Sequence, residues 1–196
     1  MIIAISGKTG VGKTTFANML APTIKAEVMS FASSLKDEVS HVFGLNRELL
    51  DTQKGKAKTI KLTRKQQHLL GVAEPPRTWT IREILQAYGQ YRRQADPDYW
   101  SNLLAARIGN GNVIIDDMRY LNELGMVESH PLHRLKMFVR IDPYPGWKPG
   151  QHSQHRSETE LDECDKWDII IRNPKFGGLS KYSRQLSEII LELHNE

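Results

Sequence analysis

Met1-Ile2-Ile3-Ala4-Ile5-Ser6-Gly7-Lys8-Thr9-Gly10-Val11-Gly12-Lys13-Thr14-Thr15 decides the fold. Met1 to Ile5 is an apolar, strand-like run, and Gly7 to Thr14 fits G-x-x-x-x-G-K-[ST]. Each part of that pattern has a physical job. The glycines let successive backbone N–H groups turn inward around the α- and β-phosphates of a nucleotide. Lys13 reaches the β- and γ-phosphates, and the Thr14 hydroxyl is placed to ligate Mg²⁺. A helix opening near Thr14 aims its positive end at the same anion. Phe16, Met19 and Leu20 recur at helical spacing, with Pro22 as the expected stop. An incidental Gly-rich turn would need neither flank. The stretch predicts a nucleoside triphosphate site made of Gly7, Gly10, Val11, Gly12, Lys13, Thr14 and Thr15.

The rest of the chain has to supply a sheet around that strand. Met1–Ser6, Glu27–Phe31, Asn112–Asp116, Lys136–Ile141 and Trp167–Ile171 are short, apolar and rich in Val, Ile, Phe or Met, as strands buried on both faces are. Helical patterns lie between them. Leu35, Val39, Val42 and Phe43 form one stripe, with Ser33 or Ser34 as cap and Gly44 as stop. Thr80-Ile81-Arg82-Glu83 reads as a capping box ahead of Ile84, Leu85, Tyr88 and Tyr91. Asp96-Pro97 opens a helix carrying Trp100, Leu103, Leu104 and Ile108, and a last helix buries Tyr182, Leu186, Ile189, Ile190 and Leu193. Alternating strands and helices predict an α/β fold with a parallel sheet, whose ligands bind at the strands' carboxyl ends. Leu45–Trp79 and Asp142–Lys166 resist assignment, and segments that long are often lids or binding loops.

Composition narrows the class. The chain has 196 residues, 39% of them hydrophobic, and a mean hydropathy of -0.48, which suits one soluble domain with a full core. No run approaches a membrane span, and the first strand leaves no room for a signal peptide. Cys164 is the only cysteine, so no intrachain disulfide forms and a reducing, cytoplasmic setting is expected. The net charge of +4 is uneven: Lys54, Lys56, Lys58, Lys61, Arg64 and Lys65 occur within 54–65 without an acid. Such a run is a solvated loop, a steering surface for an anionic substrate, or a polynucleotide contact. His152, His155 and Cys164 lack the paired spacing and the fourth ligand of a zinc site.

Two constellations extend the site. Asp116-Asp117-Met118-Arg119 follows the third strand, with Asn122-Glu123 close behind. An acid there is placed to hold Mg²⁺ or take a proton, and the planar fork of Arg119 suits donor and acceptor phosphates. A structural ion pair between Asp117 and Arg119 is the alternative. On the helix from Thr80, Arg82, Gln86 and Arg93 share one polar face, suited to a second phosphate and a base edge. Phe31 and Trp100 offer aromatic surface or plain core.

Phe31-Ala32-x-x-Leu35-Lys36, Thr80-x-Arg82-Glu83-x-Leu85-Gln86, Tyr91-Arg92-Arg93-x-x-Asp96-Pro97-Asp98-Tyr99-Trp100, Asp117-x-Arg119-x-x-Asn122-Glu123 and His155-x-Ser157-Glu158 follow one another along the chain. In that order, and with the phosphate loop, the sequence resembles the bacteriophage-type deoxynucleoside monophosphate kinases from Ile3 to about Leu179. The resemblance implies a P-loop fold on a five-stranded parallel sheet, one domain over 1–196, with an acceptor-binding region at 45–110 and a lid at 142–166. It implies ATP and Mg²⁺, a deoxynucleoside 5′-monophosphate as acceptor, and the host cytoplasm if phage-encoded. Lys13, Asp117 and Arg119 would be catalytic, and Thr14 and Asp116 would hold the metal. Phe31, Lys36, Arg82, Gln86, Arg92, Arg93, Trp100 and Glu123 would line the acceptor. The chain departs from the pattern in three places. The Gly89-to-Arg92 interval is one residue short, the lid is poor in arginine, offering Arg140, Lys148 and Arg156, and Asn173-Pro174-Lys175-Phe176-Gly177-Gly178 replaces a tighter turn. Another P-loop kinase, acting on a different small molecule or a modified base in DNA, is the near alternative. A nucleotide-dependent switch or DNA-handling ATPase is the alternative of another class. The helix faces fit a monomer or a homodimer.

Overall fold

The computed structural model describes residues 1–73, 75, 77–150, 153–172 and 178–193. Its strands are β1 (Ile2–Ser6), β2 (Ala26–Met29), β3 (Thr59–Lys61), β4 (Thr78–Thr80), β5 (Asn112–Ile115), β6 (Lys136–Asp142) and β7 (Ile169–Arg172). Five of them form one sheet in the order β2-β5-β1-β6-β7, every neighbouring pair parallel. The phosphate-loop strand β1 is central: Ile3 lies between Ile114 and Met137, and all its residues from Ile2 to Ser6 are buried. This is the α/β sheet flanked by helices that the sequence predicts, with each main strand within two residues of its expected place.

The helices are α1 (Lys13–Ile24), α2 (Phe31–Phe43), α3 (Gln53–Lys56), α4 (Arg64–His68), α5 (Ile81–Ala95), α6 (Tyr99–Ala105), α7 (Leu121–Ser129), α8 (Arg156–Thr159) and α9 (Gly178–Leu193). α6 is shorter than expected: Asp96 closes α5, Pro97 precedes α6 and Ile108 lies beyond it. Two further ends differ from expectation. Pro22 lies inside α1, which runs on to Ile24 and closes where the Lys25 N–H donates to Ala21 O. A proline in the last turn removes a single backbone bond, so it does not end the helix. Ser33 and Ser34 lie within α2, whose first N–H, that of Phe31, is capped instead by Asp117 Oδ1 at 2.8 Å.

The chain divides into two compact units, residues 1–31 with 105–196, and residues 32–104. The core of the first packs Ile3, Ile5, Phe16, Leu20, Val139 and Ile190. The second has its own core of Val39, Phe43, Leu62, Trp79, Ile84, Tyr88 and Trp100. The unassigned stretch 45–79 falls in this second unit, where β3 and β4 pair antiparallel and the short helices α3 and α4 lie beside β3 in sequence. His152, Asn173–Gly177 and the Leu193 side chain lie outside the described residues. No described helix is long and apolar enough to cross a membrane.

Candidate active site

The loop after β1 is shaped by its glycines. Gly7, Gly10 and Gly12 take φ values of 142°, 84° and 100°, a region costly for residues with a Cβ. Gly7 is also fixed by space, since a Cβ there would stand 2.4 Å from Ile141 O. Lys13 is buried, 8% exposed, and its ammonium donates to Gly7 O at 2.7 Å and Lys8 O at 2.9 Å. Burial pushes its pKa down to about 8, helped by the charge of Arg119 and opposed by Glu158, Asp117 and Asp116. A buried ammonium depressed this way favours a polyanion as its partner.

Thr14, in the first turn of α1, donates its hydroxyl to Asp116 Oδ2 at 2.5 Å. Asp116 directly follows β5 and is 8% exposed. A hydroxyl and a carboxylate in contact are hard oxygen donors of the kind Mg²⁺ takes while keeping several waters. The pair expected to hold the metal is therefore brought together and fits it. Asp117 points elsewhere: it accepts from Ser30 Oγ at 2.7 Å and from the Phe31 N–H, so it caps α2.

Arg119 stands beside the loop. Its Nη1 donates to Ser157 O at 3.0 Å and pairs with Glu158, and Nη2 donates to Thr9 Oγ1 at 3.4 Å. Glu158 in turn accepts from the Thr9 N–H at 2.8 Å and the Thr9 hydroxyl at 2.6 Å. Burial works to raise the Glu158 pKa, but Arg119 and the two Thr9 donors outweigh it and hold it below the usual glutamate value. Lys8 Nζ donates to Glu158 O and to Asp162 Oδ2, each at 2.5 Å, and Arg140 Nη2 reaches Asp162 Oδ1 at 2.9 Å. Trp147 Nε1 donates to Thr9 O at 3.1 Å. The expected lid segment thus rests on the loop through Glu158, Asp162 and Trp147, none of them in the predicted site. Glu158 lay within the block His155-x-Ser157-Glu158, and that block was its only sequence signal. Of the lid cations, Arg140 is bound to Asp162, Arg156 pairs with Glu160, and Lys148 is exposed.

Glu123, expected at the acceptor, is instead 2% exposed and accepts the Arg119 and Tyr120 N–H groups at the start of α7. Phe31 is buried at 3% exposure.

In the second unit, Arg82, Gln86 and Arg93 are half-buried along one side of α5, as their spacing requires. Arg82 Nη2 donates to Gln53 Oε1. The other expected acceptor residues have structural partners. Arg92 pairs with Glu38 at 3.0 Å, and Glu38 also accepts the hydroxyls of Tyr88 and Tyr99. Lys36 pairs with Asp51 at 3.0 Å. Trp100, 2% exposed, donates its indole N–H to Gly89 O at 3.2 Å and is a core ring. Lys54, Lys58, Lys61, Arg64 and Lys65 are exposed.

No protein family model matches this chain, and no curated protein matches it. Among solved structures, shikimate kinase from Aquifex aeolicus vf5 is similar at 16% identity and a TM-score of 0.46, over 100% of this chain and 97% of that one. Shikimate kinase from Acinetobacter baumannii in complex with shikimate is similar at 11% identity and a TM-score of 0.43, over 97% and 93%. At that distance the likeness says nothing of the substrate, which has to be argued from the site itself.

Proposed function

We propose that this protein is a kinase that transfers the γ-phosphoryl group of ATP to the 5′-phosphate of a deoxynucleoside monophosphate. The observation that carries the reading is the loop geometry: three glycines at positive φ, a buried Lys13, and the Thr14–Asp116 pair beside it. Deoxynucleotide as acceptor rests on the ordered motifs of the sequence and on the Arg82, Gln86 and Arg93 face of α5.

In this reading an acceptor phosphate oxygen attacks the γ-phosphorus in line. The new P–O bond forms as the bond from the γ-phosphorus to its bridging oxygen breaks, and ADP leaves. The attacking oxygen is already anionic, so no strong general base is required, and catalysis is positioning plus charge compensation. Lys13 and Arg119 supply positive charge at the transferring group, and Arg82 and Arg93 hold the acceptor phosphate. Thr14 and Asp116 would hold Mg²⁺, which neutralises charge on the β- and γ-oxygens when bound. The test is incubation with Mg·ATP and each deoxynucleoside monophosphate in turn, with separation of the products. Formation of a deoxynucleoside diphosphate is the expected result. Release of inorganic phosphate alone, at the same rate with and without acceptor, overturns it.

The exposed cations of 54–65 favour a second reading, phosphorylation of a modified base within DNA. Salt-sensitive retention of duplex DNA with label transferred from γ-labelled ATP into the polymer would support it over the first.

A further inference from the structure

Glu158 is an unusual residue to find on a phosphate loop. Its carboxylate is 10% exposed and lies on Thr9, the third residue of the loop, a segment whose backbone N–H groups are expected to face phosphate. A carboxylate beside a polyphosphate site is repulsive unless a cation stands between them. Arg119 is that cation.

The local sequence explains how Glu158 arrives there. His155 is the N-cap of α8 and accepts the Ser157 N–H on Nδ1 at 3.2 Å, with Ser157 Oγ 2.8 Å from the same nitrogen. In a capping box the glutamate at the third helical position turns back to the cap N–H. Here the histidine makes the cap, and Glu158 reaches out to Thr9 and Arg119 instead. The Lys8 ammonium holds the Glu158 carbonyl and Asp162 at once, which fixes the turn against the loop.

The guanidinium is held asymmetrically. Nη1 takes both Ser157 O and Glu158, whereas Nη2 makes one long contact with Thr9 Oγ1. Among the described residues, this leaves Nε–H and the second Nη2–H for a ligand. A fork anchored by one prong presents its other edge in a fixed direction, and that preorganisation is what an arginine needs to read a phosphate.

We infer that Glu158 is a positioning residue, which anchors Arg119 by one prong so that the other meets the γ-phosphate of ATP. This rests on the proposed phosphate-loop kinase reading and names the group that sets its arginine.

The test compares Mg·ATP with Mg·ADP in equilibrium binding, because only ATP carries the group Arg119 is set to meet. R119A should lower the ATP-over-ADP affinity ratio by about tenfold, the size of one charge-assisted hydrogen bond. E158Q should lower it by about the same factor, since the neutral amide keeps one acceptor for Thr9 but no longer anchors the guanidinium charge. The double variant should fall no more than about twofold beyond R119A, because residues acting as a unit are non-additive. E158D, which keeps the charge, should recover part of the loss. A purely structural glutamate predicts something else, namely that E158Q weakens ATP and ADP alike and leaves the ratio unchanged. That result, or losses that multiply in the double variant, overturns the proposal. ADP affinity reports in the same experiment whether each variant keeps its loop. No acceptor is present, so a wild-type protein that shows the coupling but phosphorylates no deoxynucleotide refutes only the acceptor reading.

Discussion

The phosphate loop and the polar side of α5 serve the same proposed reaction, but they hold their charge in different ways. In the loop, backbone conformation does the selecting: glycine torsions set the turn, and Lys13 is held by two carbonyls of that turn. On α5 the side chains do it alone. Arg82 leans on Gln53, and Arg92 belongs to a cluster with Glu38, Tyr88 and Tyr99. A site written in backbone torsions is finished before a ligand arrives. A site written in long side chains must exchange partners to bind, and Arg82 and Arg92 already have theirs.

This contrast is tested most severely at Lys13. K13A removes the charge the loop is built around and should cut turnover by about a thousandfold or more, read as the initial rate of phosphoryl transfer. A loss below tenfold would take the loop out of the chemistry. Arg82 comes next. R82A should raise the acceptor KM by about ten- to a hundredfold, the range of one charge-assisted hydrogen bond, with kcat within about threefold of wild type. Equal losses in both constants would instead place Arg82 on the transferring group.

A further effect, no larger than that of R82A, is in pH. Lys13 in the free protein has a pKa near 8, and a bound polyphosphate favours its charged form, so binding above that pH takes up a proton. Mg·ATP affinity should therefore be level below pH 8 and weaken by up to about tenfold per unit above it. Dissociation constants at pH 7, 8, 9 and 10 would show the bend, and K13A should abolish it. A level profile in the wild type would separate Lys13 from the phosphates.

What could be read in advance follows the same division. The five main strands and the Thr80 capping box depend on residues near one another in sequence, so pattern alone locates them. The loop was legible because its function resides in glycine torsions that few other sequences permit. Asp117 was not, because the helix it caps begins 86 residues earlier. Glu158 was not, because its partner Thr9 is 149 residues away. Trp100 read equally well as core or as binding surface, since an aromatic at that spacing suits both until the fold buries it. β3 and β4, three residues each, are too short to show a period.

Trp147 carries a practical consequence. Its indole nitrogen donates to the carbonyl of Thr9, so a natural fluorophore sits in direct contact with the loop. Trp79 and Trp100 are buried in the other unit's core, and Trp167 lies against the Arg140 guanidinium. Any shift of the loop on filling changes the polarity around one of the chain's four emitters. Subtracting the spectrum of W147F isolates that signal, which gives the protein an optical gauge of its own occupancy without an added label.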